Sequence, residues 1–250
     1  MQTEKVQQLA SLLERLNSGE NPAAVKQEAQ EFLSSIDASE LTMAEQKLLE
    51  AGLEPEDLRH LCAAHLEMLE GRVAELKRSL TPGHVIHTMI SEHEMILGFL
   101  DKLEEVNKVL QQLDVYDGCQ EFALLKHVAE HLVDAEPHHQ REEDVLFPEV
   151  EARGMYGPPQ IMRMEHVELR ARKKELLHLA ENVADLDYKE FKRRLEAASA
   201  FLVMTLRDHI FKENNILYPM AVQVILEPEK WADMKLKCDE IGYCCFTPSE

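Results

Sequence analysis

Four segments between residues 84 and 225 place apolar residues at three- and four-residue steps, the period of an α-helix with one face turned to a core. They cover roughly 84–112, 119–152, 159–184 and 188–225. No stretch alternates long enough to read as a strand. Leu, Glu, Ala, Lys and Met dominate and Gly is scarce, so an all-α chain is expected. Four long helices with short connections favour an antiparallel up-down four-helix bundle. Pro137 inside the second segment predicts a kink or a restart, and Pro219 a bend or an end in the fourth.

The core-facing stripes are not purely apolar. His93 lines up with Met89, Ile90, Ile96 and Leu97, and His166 with Met162 and Leu169. His138 and Glu142 share a stripe with Val145 and Leu146; His209 and Glu213 share one with Leu202, Leu206, Ile216 and Leu217. The second and fourth segments also repeat a pattern. HHQREEDVLFP and HIFKENNILYP each carry a His, a Glu four residues on, and a Pro six residues after that Glu. A lone His on such a stripe is ordinarily a hydrogen-bonded core residue, and an isolated His-x-x-x-Glu a solvated pair. The two matched motifs together with one stripe His in each remaining helix point elsewhere. Buried imidazoles and carboxylates without partners cost several kcal/mol each, and a shared cation relieves that cost. His and Glu from facing helices are how a bundle core holds non-haem dinuclear iron or manganese. Without thiolates at these positions a closed structural zinc site fits less well. Six ligands for two metals leave positions where O2, NO, peroxide or hydroxide can bind. His139 with Glu143 is a second possible register in HHQREEDVLFP, but only His138/Glu142 matches the proline offset of the fourth segment.

SEHEMI, HHQREEDVLFP, MEHVEL and DHIFKENNILYP resemble the hemerythrin-like, or HHE cation-binding, family over residues 84–222. The resemblance implies a bundle holding an oxo- or hydroxo-bridged di-iron centre on His93, His138, Glu142, His166, His209 and Glu213, with the two glutamates bridging. Manganese or a mixed iron–manganese pair suits the same donors. Oxygen-carrying members use a further His one turn along the third helix. Here Met162 and Arg170 stand one turn either side of His166. That departure makes the chain look more like the iron-centre repair and nitric-oxide-response members.

Residues 1–80 read as several short helices forming a smaller N-terminal domain, with Thr81-Pro82-Gly83 as the boundary. LTMAEQKLLEAGLEPEDLRHLCAAHLEML resembles an uncharacterised helical domain found upstream of hemerythrin-like domains. The tail, 227–250, holds Trp231 and CDEIGYCCFTPSE, and either packs on the bundle or stays separate. Cys62 and His65, three apart on a helix, together with His84 and His87, three apart just past the boundary, form a candidate second site for zinc, iron or haem. The competing reading is that these residues cap and pack the junction. His60, His127, His131 and His178 read as surface or outer residues, with His131 placed to line an entrance; Tyr116, Tyr156 and Tyr218 are all candidates to tune the pocket.

The net charge of -20 argues against nucleic acid and against an anionic membrane surface. No apolar run is long enough to span a bilayer, and the polar, amphipathic N-terminus predicts a cytoplasmic protein with free cysteines. The leading expectation is a di-iron protein that binds or senses O2, NO or redox state, with a protein partner for signalling or iron transfer. An enzyme reducing NO or peroxide or repairing iron–sulfur centres, iron storage, and a purely structural metal are the alternatives.

Overall fold

The computed structural model describes residues 72–248 and, before them, only Gln8, Ser11, Arg15, Glu28 and Phe32. Every regular element among the described residues is helical. A short helix α1 (Arg72–Ser79) leads to α2 (Val85–Gln112). The second long segment is α3 (Gln120–Val133) followed by α4 (Glu136–Arg141), with Pro137 in the first turn of α4. The proline therefore restarts the helix, because its missing N–H is harmless in a first turn. A π-helical turn (Glu142–Leu146) and α5 (Phe147–Glu151) complete it. Then come α6 (Gly157–Asn182), a 3₁₀ turn (Val183–Asp185) and α7 (Tyr188–Lys212). A second π-helical turn (Glu213–Leu217) leads to α8 (Tyr218–Val224) and α9 (Pro228–Ile241).

Helices α2, α3, α6 and α7 form a closed ring in which each packs on the next. Their directions alternate. The start of α2 meets the end of α7 through His93 and Asn214, and the end of α2 meets the start of α7 where the Tyr188 hydroxyl donates to the Leu110 carbonyl. The bundle core is split along its length. One apolar cluster holds Phe99, Leu100, Leu125, Leu176, Phe191 and Leu202. The other, toward the opposite end, holds Ile86, Met89, Leu146, Phe147, Met162 and Leu217. Between them lies a buried polar layer made of His93, His138, Glu142, His166, His209 and Glu213.

The two π-helical turns occupy matching places and have a common cause. Pro148 and Pro219 lack the N–H that an α-helix needs there, and their rings collide with the carbonyl four residues back. Each helix responds by widening just before the proline. The Phe147 N–H reaches the Glu142 carbonyl and the Tyr218 N–H reaches the Glu213 carbonyl, five residues back instead of four. The repeated spacing of Glu and Pro thus encodes a wide turn at each buried glutamate.

The tail packs on the bundle. Helix α9 lies against α2 and α4, burying Met234 and Cys238, and Trp231 packs tilted against His84 with ring centroids 4.4 Å apart. Gly242, with φ of +94°, ends α9 in a conformation that disfavours a side chain and turns the chain back toward α4. Among the described residues no helix is long and apolar enough to cross a membrane.

Candidate metal centre

All six side chains of the expected set are at most 1% exposed. Four imidazoles enter from α2, α4, α6 and α7, and the two carboxylates enter from the π-helical turns. A reciprocal arrangement orients the imidazoles. His93 Nδ1 donates to Asn214 Oδ1 (2.8 Å), His138 Nδ1 to Glu92 Oε2 (2.7 Å), His166 Nδ1 to Glu143 Oε1 (2.7 Å) and His209 Nδ1 to Glu165 Oε2 (2.8 Å). Each acceptor is the sequence neighbour of another member of the set, on the adjacent segment. Glu92 precedes His93 and holds His138; Glu143 follows Glu142 and holds His166; Glu165 precedes His166 and holds His209; Asn214 follows Glu213 and holds His93. The ring of helices is closed by a ring of hydrogen bonds. With Nδ1 carrying the proton in every case, each Nε2 turns a lone pair inward.

Those lone pairs face the glutamates. His93 Nε2 lies 3.2 Å from Glu213 Oε2, His209 Nε2 lies 2.9 Å from Glu213 Oε1, and His166 Nε2 lies 3.5 and 3.6 Å from oxygens of Glu142 and Glu213. His138 Nε2 is 3.7 Å from Glu142 Oε2, and the Nε2 atoms of His166 and His209 are 3.0 Å apart. These separations bring acceptor against acceptor. Glu142 Oε2 and both oxygens of Glu213 are buried and make no hydrogen bond of acceptable geometry. An unsatisfied buried acceptor costs about 1–3 kcal/mol, more when it is charged. A cation among them removes the repulsion and the unmet bonding together, so the donor set fits metal ions.

The donors divide into two groups whose atoms all lie within 4.8 Å of one another: His93, His138, Glu142 and Glu213, and Glu142, His166, His209 and Glu213. Both glutamates belong to both groups. Burial, then the neighbouring Glu213, pushes the Glu142 carboxyl well up, so the two carboxylates do not carry two full charges unaided. Burial also holds the His138 imidazole down to about 4, against the pull of Glu92.

Residues 84–221 match the hemerythrin HHE cation binding domain, and residues 9–75 match a family of unknown function (DUF438). The chain belongs to the hemerythrin HHE cation-binding family. The HHE domain spans the bundle and contains the whole buried His/Glu cluster, which makes this a metal-binding protein. None of the curated proteins compared matches the chain.

Several residues around the HHE pocket gain definite places. Tyr218, one of three tyrosines left open by spacing, is fully buried and donates its hydroxyl to Glu142 Oε1 (2.7 Å), 3.4 Å from the Nε2 atoms of both His93 and His138. Tyr116 and Tyr156 are exposed. The clue lay in the repeat itself: Tyr218 stands before Pro219 where Phe147 stands before Pro148, the same position with a hydroxyl added. Arg170, one turn past His166, points to Glu136 and to Glu143 Oε1 (2.9 Å), bracing the group that orients His166. Glu92 is the most enclosed of the orienting groups. It accepts from His138, twice from Arg141 (2.6 and 2.7 Å) and from the Thr247 hydroxyl (2.6 Å), and the cations and donors around it hold its carboxyl down to about 2 despite its burial.

The second histidine cluster is only half within the described residues, since Cys62 and His65 lie outside them. His84 caps α2, its Nδ1 accepting from the Ile86 N–H at 3.2 Å, and packs on Trp231, the bland role weighed for it. His84 and His87 join no cluster of three metal-ligating groups among the described residues. His60 also lies outside them, and His178 is exposed. His131 packs between His127, Phe99 and Phe246. Cys244 is buried beside Arg141, because the strap after Gly242 folds over Glu92; Cys245 is exposed.

Proposed function

We propose that this HHE domain holds a di-iron pair on His93, His138, Glu142, His166, His209 and Glu213 and uses it to bind or sense O2, NO or redox state in the cytoplasm. The observation that carries this reading is the membership of Glu142 and Glu213 in both donor groups, the position of bridging carboxylates. Nitrogen and oxygen donors without thiolate suit iron, and manganese at the same positions. Iron in such a setting supplies open coordination positions and one-electron redox steps. The chain's own residues supply the rest. The Nδ1 partners keep four Nε2 lone pairs directed inward, the apolar clusters on either side exclude water, and the Tyr218 hydroxyl holds a proton against Glu142 at the inner wall.

A second reading, an enzyme acting on NO or peroxide in stress, is favoured by Arg170, which leaves the third helix with one inward imidazole. Protein produced with iron should hold about two irons per chain with an oxo-to-iron absorption band. Glu142→Ala and Glu213→Ala should each abolish the pair; full iron content in either variant removes that residue from the ligand set. Anaerobic mixing of the reduced protein with O2, NO or peroxide separates the two readings, since a stable adduct marks binding and turnover marks catalysis.

A further inference from the structure

Helix α7 is apolar on more than its core face. Residues 197–206, AASAFLVMTL, carry no charge in a chain with 30% charged residues. Leu202 and Leu206 are buried, but Ala200 is exposed and Met204 is 70% exposed. A helix that is apolar all round belongs under a cover. Beside this face α7 and α2 leave a groove of about 480 Å³. Ala200, Val203 and Met204 line it from α7, and Asn107, Lys108 and Gln111 from α2. Ser199 lines it too; it is 2% exposed and its hydroxyl has no hydrogen-bond partner. Among the described residues, only these two helices form its walls.

The channel between α2 and the fourth segment is already filled at its other end. There α1 packs on α2 and on the π-helical turn that begins at Glu213, with Val73, Leu76 and Leu80 against the apolar cluster. The chain turns at Gly83, with φ of +83°, and the Lys77 ammonium meets Glu94 at 2.7 Å, so α1 runs back alongside α2. The residues before Arg72 therefore head along α2 toward the groove. Residues 58–71 lie outside the described ones, but their sequence extends the stripe of α1. Leu58, Cys62, Leu66, Leu69, Val73, Leu76 and Leu80 follow one another at steps of three and four. A helix from Lys77 back to Leu58 and the stretch of α2 from Glu94 to Gln112 are each about 27–29 Å long, so the stripe runs out where the groove does. The match to the family of unknown function ends at residue 75, inside α1, which makes this segment the last part of that N-terminal region.

We propose that residues 58–71 continue α1 as an amphipathic helix that docks in the α2/α7 groove of the same chain, its Cys62, Leu66 and Leu69 covering Ala200, Val203 and Met204. Continuity with the seated α1, matching length and an apolar stripe in phase all favour this occupant over a second copy of the chain. The N-terminal region is thereby fixed to the two helices that carry His93 and His209. Cys62 takes the packing role weighed for it at the junction. This docking is independent of which metal the bundle holds.

The test follows amide hydrogen exchange across residues 58–71 in the full chain, with trypsin cleavage after Arg59 as a second readout. Met204→Glu and Ala200→Glu put a charge at exposed positions of the bundle, so its four helices should stay folded. Each should speed exchange across 58–71 about ten- to a hundredfold and open Arg59 to trypsin, without changing the oligomeric state read by light scattering. Leu69→Glu should do the same from the other side, and combined with Met204→Glu should add little, because both break one interface. Leu236→Glu, at a similarly exposed apolar residue on α9, should leave exchange at the wild-type rate. Exchange across 58–71 within about twofold of wild type in both Met204→Glu and Ala200→Glu overturns the docking. Equal acceleration in Leu236→Glu traces the effect to added charge alone and overturns it as well. A wild-type dimer that Met204→Glu splits gives the groove to a second copy of the chain, and the docking within one chain falls.

Discussion

Replacing Arg141 by Met should destabilise the metal-free protein severely, through a residue outside the proposed ligand set. Arg141 is 1% exposed and Glu92 is fully buried; the guanidinium lies 2.6 and 2.7 Å from the two Glu92 oxygens. Methionine fills much of the same volume but leaves the Glu92 charge inside the bundle, facing only the His138 Nδ1–H and the Thr247 hydroxyl. Removing one partner of a buried ion pair costs about 3–5 kcal/mol. For a folded unit of this size each kcal/mol moves the melting temperature about 2–4 °C, so a drop of about 6–20 °C is expected by calorimetry of the apo-protein. Replacing both members, Glu92→Met with Arg141→Met, should cost less than the sum of the single changes by about 1.5 kcal/mol or more. Iron affinity should fall about 10- to 100-fold in the Glu92 variants, because His138 loses the group that sets its tautomer and orientation. An Arg141→Met protein within about 1 kcal/mol of wild type would refute the reasoning, since it would mean that Glu92 is hydrated or neutral.

Acid should unfold the apo-protein in two overlapping windows, measured as urea stability against pH. The buried His138, at about 4 in the fold against an ordinary 6.5, stabilises above pH 6.5 and loses that contribution as pH falls toward 4; Glu92, at about 2 against 4.5, adds a loss between pH 4.5 and 2. Glu142, pushed up by burial and by Glu213, gains stability as it protonates and offsets part of the first loss, so the lower window decides: stability that rises as pH falls from 4.5 to 2 would contradict the pairing of Glu92. Tyr218→Phe should retain iron, since the hydroxyl is outside the ligand set, yet lower apo-protein stability by about 1–3 kcal/mol by leaving Glu142 Oε1 without its donor. Thr247→Val should cost about 1 kcal/mol and weaken iron binding less than any Glu92 replacement; an effect as large as that of Glu92→Met would place the strap, not the carboxylate, in control of His138.

The helical class, the four long helices, the restart at Pro137 and the six inward-facing donors were all legible in the chain, because helical periodicity and local breakers act over a few residues. The two prolines were visible as a repeat, but their effect was not. A missing N–H shows in the sequence, whereas the wide turn it forces, with a glutamate at its start, is a property of backbone packed in a bundle. The groups that orient the imidazoles were hidden for a different reason. Glu92, Glu143, Glu165 and Asn214 each sit beside a donor in sequence, yet each serves the donor of a neighbouring segment. Only the order and rotation of helices around the bundle decide that pairing. His139 and Lys173 belong here too, since only the packing of α4 and α6 turns them toward one another. The sequence alone settled which helix faces must leave water, since an apolar stripe has one face to hide. Tertiary packing settled which of them meet, since contacts between segments depend on distances that no local pattern records.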